Sequence, residues 1–271
     1  MGENPCRKIC NANKRMNIVF IGAGNLATHL ATVMHQKGMH IAQVYSRTAE
    51  NAKALAKKVG CDSTTDLSQL DPTADLYVFA LKDALLKEVL AQVAPNDGLW
   101  VHTAGSIPMD IFAPFTNRYG VLYPMQTFSK QRTVDFNEIP LFLEANSAEN
   151  EKALKNIAYS ITPNIQMLSS EKRKALHLAA IFACNFTNHC YALAANLLKE
   201  QGVSFDILLP LIQETANKVQ SMPPHVAQTG PAIRYDQNVI EAHLASLTDP
   251  MLKNIYQLMS EIGRASCRER V

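Results

Sequence analysis

The chain has 271 residues, of which 47% are hydrophobic and 18% are charged, which is enough for one large or two ordinary folded domains. Its formal net charge of +2 comes from basic residues near the two ends, so the body is mildly acidic and shows no basic stripe for nucleic acid. No apolar run is long enough to cross a bilayer and the 6 cysteines lack ligand-like spacing, so we expect a reduced cytoplasmic protein without membrane or metal partners.

Both ends of the chain are expected to lie outside its folded domains. Residues 1–15 are polar and basic and hold no apolar signal-peptide core, so we interpret them as a disordered extension. Residues 262–271, IGRASCRERV, resemble a translated sequencing adapter and interrupt the helical pattern before them. This indicates a non-native tail, with a genuine basic tail as the alternative.

The first predicted element is a short apolar strand, residues 17–21, that leads into a glycine-containing turn and then a helix. The pattern G-x-G-x-x-A in this context is typical of a dinucleotide-binding βαβ unit, with a structural turn and an empty site as the alternative. Gly22 suits a tight turn, and Gly24 would allow the backbone to approach a pyrophosphate. The start of the helix would offer backbone N–H groups to the phosphates. The predicted cofactor-binding residues are Gly22, Ala23, Gly24, Asn25 and Leu26.

The second predicted strand, residues 41–44, ends in Tyr45-Ser46-Arg47-Thr48 rather than in an acid. An acid here would bind the ribose 2′-hydroxyl of NAD and repel a 2′-phosphate. Ser46 and Thr48 can instead donate hydrogen bonds, and Arg47 can pair with the phosphate. These residues favour NADP, unless Arg47 is an ordinary exposed residue at the start of a helix.

Further apolar strands extend the predicted sheet. Residues 75–81 form a central strand that ends at Leu81 and Lys82, with Asp83 as the expected N-cap of the next helix. Residues 99–102 form the next strand, followed by Thr103 close to where a nicotinamide would lie. His102 is more readily explained as structural than as catalytic. Strands near 120–128, 139–144 and 165–168 and a helix at 148–160 complete the predicted Rossmann-like, doubly wound, mostly parallel α/β domain of residues 16–168.

From residue 169 the pattern becomes helical, which predicts an all-α second domain over residues 169–261. One long helix spans 171–201, and further helices span 206–220, 236–247 and 251–261. Between them, residues 222–235 form a polar, proline-rich loop of a length that is often functional.

The polar residues of the long helix fall on one side of it when each residue turns through about 100°. They are His177, Asn185, Asn188 and His189. They either face a substrate or are satisfied inside a helical or dimer core.

We take Asn185 and Asn188 as catalytic candidates. The substrate-binding candidates are Gln126, His189, Thr229 and Arg234, with a salt bridge to Asp236 as the alternative role of Arg234.

Several segments together carry a family resemblance. They are IGAGNLA (21–27), VYSRT (44–48), HTAGSIP (102–108), YPMQTFS (123–129), HLAAIFACNFTNHCYALA (177–194) and QTGPAIRYDQNVIEAHL (228–244). The chain resembles bacterial two-domain proteins, most closely the Bacteroides-type members, that join a Rossmann-like NADP-binding domain to a helical domain of unknown function. They are labelled NADP oxidoreductases and likened to deazaflavin-dependent NADP oxidoreductases.

More distantly the chain is similar to pyrroline-5-carboxylate reductase and to the β-hydroxyacid dehydrogenases. That kinship implies a cofactor cleft between the domains and a homodimer formed through the helical domain. The β-hydroxyacid dehydrogenases place a catalytic lysine four residues before an asparagine, but Ile181 stands four residues before Asn185 here. The chain thus lacks the lysine that oxidation of a 3-hydroxyacid by that mechanism requires. The resemblance to the NADP oxidoreductases and to pyrroline-5-carboxylate reductase predicts hydride transfer from NADPH to a small carbonyl or imine. The alternative is a non-catalytic NADP(H)-binding sensor or partner-binding protein.

Overall fold

The computed structural model describes residues 16–268, which form an eight-stranded sheet with flanking helices and a further series of helices. The strands are β1 (Asn17–Ile21), β2 (His40–Tyr45), β3 (Asp62–Thr64), β4 (Leu76–Phe79), β5 (Leu99–His102), β6 (Tyr119–Pro124), β7 (Leu141–Ala145) and β8 (Ile165–Met167). The helices of the sheet region are α1 (Asn25–Gln36), α2 (Ala49–Val59), α3 (Asp83–Leu90) and α4 (Ala148–Ile161). They are followed by α5 (Ser170–Ala180), α6 (Thr187–Glu200), α7 (Leu209–Ser221), α8 (Pro224–Ala227), α9 (Pro231–Arg234), α10 (Gln237–Ser246) and α11 (Pro250–Arg268).

The sheet has the order β3-β2-β1-β4-β5-β6-β7-β8. Its neighbouring strands are parallel except for β6 and β7, which are antiparallel. The chain runs outward from β1 in one direction to β2 and β3, then returns to β4 on the other side, so β1 and β4 flank a topological switch point. The predicted Rossmann-like, doubly wound, mostly parallel sheet is confirmed.

The central strands are buried on both faces, which explains why they read as continuous apolar runs rather than as alternating patterns. Ile18 and Phe20 of β1 pack in the cluster that contains residues of α1, α2 and α4. Val19 and Ile21 point to the opposite face and pack in the cluster that contains residues of α3. All four of these side chains are fully buried.

The described chain divides into two compact units, residues up to Asn188 and residues from His189 onward. The first unit holds the sheet, α1 to α5 and the start of α6. The second holds the rest of α6 and α7 to α11. The division at Asn188 lies within the long helix, and the domain boundary at residue 168 stays a prediction.

Two local expectations of the helical region need correction. Between α5 and α6, Ile181–Phe186 form a π-helix, whose wider i→i+5 ring turns each residue through a smaller angle than an α-helix does. The uniform 100° per residue assumed between His177 and the polar residues after the π-helix, Asn188 and His189, therefore does not hold. The loop 222–235 contains the short helices α8 and α9.

The structure describes most of the C-terminal segment but not the N-terminal residues 1–15. Helix α11 continues to Arg268, so residues 262–268 extend the helical pattern rather than interrupt it. The expected disorder of residues 1–15 lies outside the described residues. Within the described part, no helix combines the length and the apolar character needed to cross a membrane.

Candidate active site

The turn after β1 has a geometry that only glycine at position 22 satisfies. Gly22 has φ +119°, and a Cβ added there would lie 2.2 Å from the carbonyl oxygen of Ala80. Its backbone N–H donates to the carbonyl oxygen of Tyr45, at 2.8 Å. The turn is therefore held between β2 and β4 at the carboxyl end of β1.

Gly24 has the opposite environment, because a Cβ added to it would have no neighbour within 4 Å. Gly24 is the N-cap of α1, and no side chain caps that helix end. The first turn of α1 thus has no side-chain cap, and the space where a side chain of residue 24 would stand is open. This combination fits a pyrophosphate group, which needs close backbone approach and N–H donors.

The residues after β2 lie at the same edge of the sheet. Ser46 accepts a hydrogen bond from the backbone N–H of Thr48, at 3.3 Å, and its own N–H donates to Thr64. Arg47 and Thr48 are exposed, and within residues 16–268 the Arg47 guanidinium forms no salt bridge. An exposed guanidinium without a carboxylate partner fits the binding of a 2′-phosphate.

The edge continues across β4 and β5. Ile21, Phe79 and His102 are in register on adjacent strands, so the residues that follow them end in one row. Leu81 and Lys82 follow β4, and the buried Thr103 follows β5 and donates its N–H to the Phe79 carbonyl. With adjacent strands about 4.8 Å apart, the row from β2 to β5 spans about 14 Å, which suits an extended dinucleotide.

The start of α3 differs from the expectation. Its N-cap is Lys82 rather than Asp83, and no side chain caps the helix end. Asp83 instead accepts a hydrogen bond from the Ser106 hydroxyl. This contact ties the loop after β5 to the start of α3, and it could not be inferred from local helix signals.

A segment after β6 contacts the first turns of α1. The Asn25 side-chain amide donates to the Phe128 carbonyl oxygen, and His29 Nε2 lies 2.9 Å from the Ser129 carbonyl oxygen. The rings of His29 and Phe128 also pack, with centroids 5.4 Å apart. Asn25, predicted to bind cofactor, therefore also holds this segment beside the glycine turn.

An almost fully buried ion pair fixes the start of α5. The Arg173 side chain is 1% exposed, and its Nη1 lies 2.5 Å from Glu144 Oε2 in β7. Its Nη2 donates to the Ile107 carbonyl, at 2.6 Å. Ser170 adds backbone and hydroxyl hydrogen bonds to the same Glu144 carboxylate. These contacts anchor α5 to β7 and to the loop after β5.

One turn beyond Arg173, the anchored helix places His177 at the carboxyl edge of the sheet. The His177 ring packs directly on Gly105, where an added Cβ would lie 2.5 Å from His177 Cγ and Nδ1. His177 Nδ1 lies 3.0 Å from the hydroxyl of Tyr123, at the end of β6. Burial raises the pKa of the Tyr123 phenol, while the Arg173 charge opposes that rise. A half-buried imidazole and a phenol thus meet beside the loop after β5.

His102 has a different character from His177. It is fully buried and stacks on Phe112, with ring centroids 5.5 Å apart. Its Nδ1 accepts from the Ala104 backbone N–H, at 3.2 Å, so the neutral ring carries its proton on Nε2. Burial and the nearby Arg173 charge lower the His102 pKa to about 3, so this ring stays neutral at physiological pH.

The other predicted site residues lie in the loop after β6, in the long helix and in the second unit. Gln126 is exposed, and its side-chain oxygen accepts from the backbone N–H of Thr127. Asn185 and Asn188 are exposed, and among the described residues neither side chain makes a hydrogen bond. His189, Thr229 and Arg234 belong to the second unit. The Arg234–Asp236 salt bridge does not form within residues 16–268, and the assigned roles of these residues stay predictions.

Two family descriptions match the chain. Residues 17–103 match "NADP oxidoreductase coenzyme F420-dependent", and residues 139–262 match "Domain of unknown function (DUF2520)". The curated relatives found are glutamyl-tRNA reductases from Legionella pneumophila, 36% identical over 67 residues. That match spans 24% of this chain and only 16% of the relatives' length.

Solved structures match over nearly the whole chain. "Putative NADP oxidoreductase BF3122" from Bacteroides fragilis is 53% identical, with a TM-score of 0.87 over 92% of this chain and 98% of that one. The imine reductase from Myxococcus stipitatus in complex with NADP⁺ is 17% identical, with a TM-score of 0.63 over 93% of each chain. 1-Pyrroline-5-carboxylate reductase from Streptococcus pyogenes is also 17% identical, with a TM-score of 0.61 over 92% of this chain and 98% of that one. The last two similarities show the fold alone.

Proposed function

The chain belongs to the bacterial family of NADP oxidoreductases in which a Rossmann domain precedes the domain DUF2520, and on that premise we propose that it reduces a small carbonyl or imine with NADPH. The observation that carries this proposal is the row of binding groups that ends beside His177. Along one sheet edge lie the open turn at Gly24, the exposed guanidinium of Arg47, Thr103 and the His177–Gly105 contact.

Each group of proposed cofactor residues would bind a different part of the NADP molecule. Gly22 to Leu26 would hold the pyrophosphate, and Ser46, Arg47 and Thr48 would hold the 2′-phosphate. Leu81, Lys82 and Thr103 would border the nicotinamide half, because ligands in such sheets lie beyond the carboxyl ends of the strands. When bound, reduced nicotinamide supplies the hydride for the reaction.

His177 is the group placed to move a proton. A Tyr123 hydroxyl that donates to His177 Nδ1 leaves the imidazole proton on Nε2, from which it can pass to the oxygen or nitrogen of the substrate. The Glu144–Arg173 ion pair fixes the helix that carries His177, so it acts as a positioning pair rather than as a catalytic one. The imine enters as one substrate class by analogy with the imine reductase, whose fold is similar, although a fold does not determine a substrate.

The helical region supports the expected homodimer, which we propose as its assembly. Helices α6, α7 and α10 contain no buried residue among those the structure describes. Large apolar side chains are exposed in this region, among them Ile207 at 69%, just before α7, and Leu211 at 63%, in α7. A helical unit with so little of its own core needs another surface to cover these residues, and a second copy offers the same surface by symmetry.

The cofactor is tested by fluorescence titration with NADPH and with NADH. NADPH is expected to bind more tightly, and Arg47→Ala to weaken NADPH about tenfold while leaving NADH unchanged, since it removes one charge-assisted pair. Lys53→Ala, an exposed change elsewhere on α2, is the matched control. Equal affinity of the wild type for NADH and NADPH would contradict the assignment to NADP.

The reaction is tested by screening cyclic imines and 2-keto acids for NADPH oxidation. His177→Gln is expected to lower kcat by about 10²–10⁴ with unchanged NADPH affinity, which is the usual range for loss of a general acid. Tyr123→Phe should give a smaller loss, His35→Gln on the surface of α1 none, and Asn185→Ala tests the asparagine assignment. Tight NADPH binding with no turnover across the panel would favour the sensor instead.

A further inference from the structure

A polar cavity lies in the first unit along the side of α1, from His29 to the end of the helix at Lys37. It has a volume of about 370 Å³ and is bounded by the outer side of α1, the end of α2 and residues 130–137. Lys37 is the C-cap of α1, whereas Gly24 is its N-cap. A helix of 12 residues is about 18 Å long, so the far end of this cavity is well separated from the glycine turn.

The cavity is lined by an excess of positive charge. Its cations are Lys37, Lys58, Lys130 and Arg132, and its carboxylate is Asp135. Within residues 16–268 none of these four cations forms a salt bridge. Asp135 accepts hydrogen bonds from the backbone and side-chain nitrogens of Asn137 instead. Four like charges around one cavity repel one another, and a bound anion would relieve that repulsion.

One wall of the cavity is tied to α1 by hydrogen bonds. The segment that carries Lys130 and Arg132 is held at its start by the contacts of Phe128 and Ser129 with α1. The Arg132 N–H donates to the Ser129 carbonyl, at 3.1 Å, which closes a turn. Thr133 adds a hydroxyl to the lining. Val33, Val134, Phe136 and Ile161 form an apolar part of the lining, as in most ligand cavities, while the cations and the two threonines, Thr32 and Thr133, would favour a charged ligand.

From these observations we propose that this cavity binds a compact polyanion carrying at least two phosphate groups. Lysine ammonium groups bind phosphate as point charges, and the Arg132 guanidinium can contact two of its oxygens. Several cations suit a ligand with several charges. The phosphates belong either to an inorganic polyphosphate or to an organic bisphosphate, which share this chemistry.

The test uses calorimetric titration of the full chain with inorganic pyrophosphate and, separately, with fructose 1,6-bisphosphate at constant ionic strength. Binding is expected for at least one, and the tighter ligand identifies the source of the phosphates. Lys58→Ala should weaken binding about fivefold, and the Lys130→Ala/Arg132→Ala pair about 25-fold, from about 1 kcal/mol per solvent-exposed charge. Lys57→Ala, the neighbouring lysine outside the cavity, should leave affinity unchanged.

A further variant separates this cavity from the dinucleotide turn. Gly24→Ala adds a methyl group where a cofactor pyrophosphate would lie, and it should not alter binding in the cavity. Binding that is lost in Gly24→Ala but kept in Lys58→Ala would assign the anion to the glycine turn and overturn the proposal. No binding of either anion, or equal weakening by Lys57→Ala, would overturn it as well. None of these outcomes depends on NADPH turnover.

Discussion

The sheet unit and the helical unit differ in where their apolar residues lie. In the sheet unit, Ile18, Val19, Phe20 and Trp100 are fully buried, and both faces of the sheet carry a packed cluster. In the helical unit, α6, α7 and α10 have no buried residue among those described. The first unit is therefore stabilised by its own core, whereas the second exposes the apolar surface that a core would use.

Because of this difference, substitutions in the two units should affect different properties of the protein. Burial of apolar surface is the dominant favourable contribution to folding, so changes in the sheet unit should alter the free energy of unfolding directly. Changes on exposed apolar positions of the helical unit should alter assembly instead. Trp100 is the single tryptophan of the chain and lies in β5, so its fluorescence reports on the sheet unit.

The largest effect is expected for Gly22→Ala. Its Cβ would lie 2.2 Å from the Ala80 carbonyl oxygen at a residue whose φ is +119°, so the strand–turn–helix unit must distort. We expect a loss of about 4 kcal/mol or more, measured by urea unfolding followed through Trp100. Gly24→Ala is the control: it has space for the methyl group, so stability should persist while NADPH affinity falls. Equal stability of the two variants would mean that the turn does not require glycine at position 22.

A smaller effect is expected from pH acting on His102. Its folded pKa is about 3, and the ordinary unfolded value is about 6.5, so between these values the unfolded chain binds a proton that the folded chain does not. The free energy of unfolding therefore falls as pH falls below 6.5, by about 2 kcal/mol between pH 7 and pH 5.

His102→Asn isolates this contribution, because its side-chain oxygen can still accept the Ala104 N–H but cannot be protonated in this range. Urea unfolding at both pH values should show a flatter pH dependence in the variant than in the wild type. Parallel profiles would show that His102 is not the buried titrating group.

Contiguous patterns made much of the sheet unit predictable. Strand β5 has the predicted bounds, Leu99–His102, and helix α4, Ala148–Ile161, ends one residue beyond its predicted end, because apolar periodicity and end signals lie within a few residues of each other. The glycine turn was predictable for the same reason. The π-helix was not, because α-helical spacing gives no sign of the inserted turn at Ile181–Phe186.

Contacts between distant residues account for what the sequence did not reveal. Arg173 stands among charged neighbours in SSEKRK and would normally be taken as exposed, yet it pairs with Glu144, 29 residues away. Tyr123 and His177 meet across 54 residues, and Asn25 and Phe128 across 103. One signal was available, since Arg173 and His177 are four residues apart and so share a helix face. Which loop that face would meet depended on tertiary packing.

The smallest effect on stability, and the largest on assembly, is expected from Ile207→Gln combined with Leu211→Gln. Both side chains are exposed, so Trp100-monitored unfolding of the sheet unit should change by less than about 0.5 kcal/mol. If these residues lie in a dimer interface, burying two polar amides there should shift the protein towards monomer in sedimentation experiments. Lys199→Gln, at an exposed polar position of α6, should remain dimeric.

A wild type that is monomeric at all concentrations would refute the dimer, whereas a double variant as dimeric as the wild type would place the interface elsewhere. A large fall in sheet-unit stability would instead mean that the two units do not differ in the way that their burial indicates.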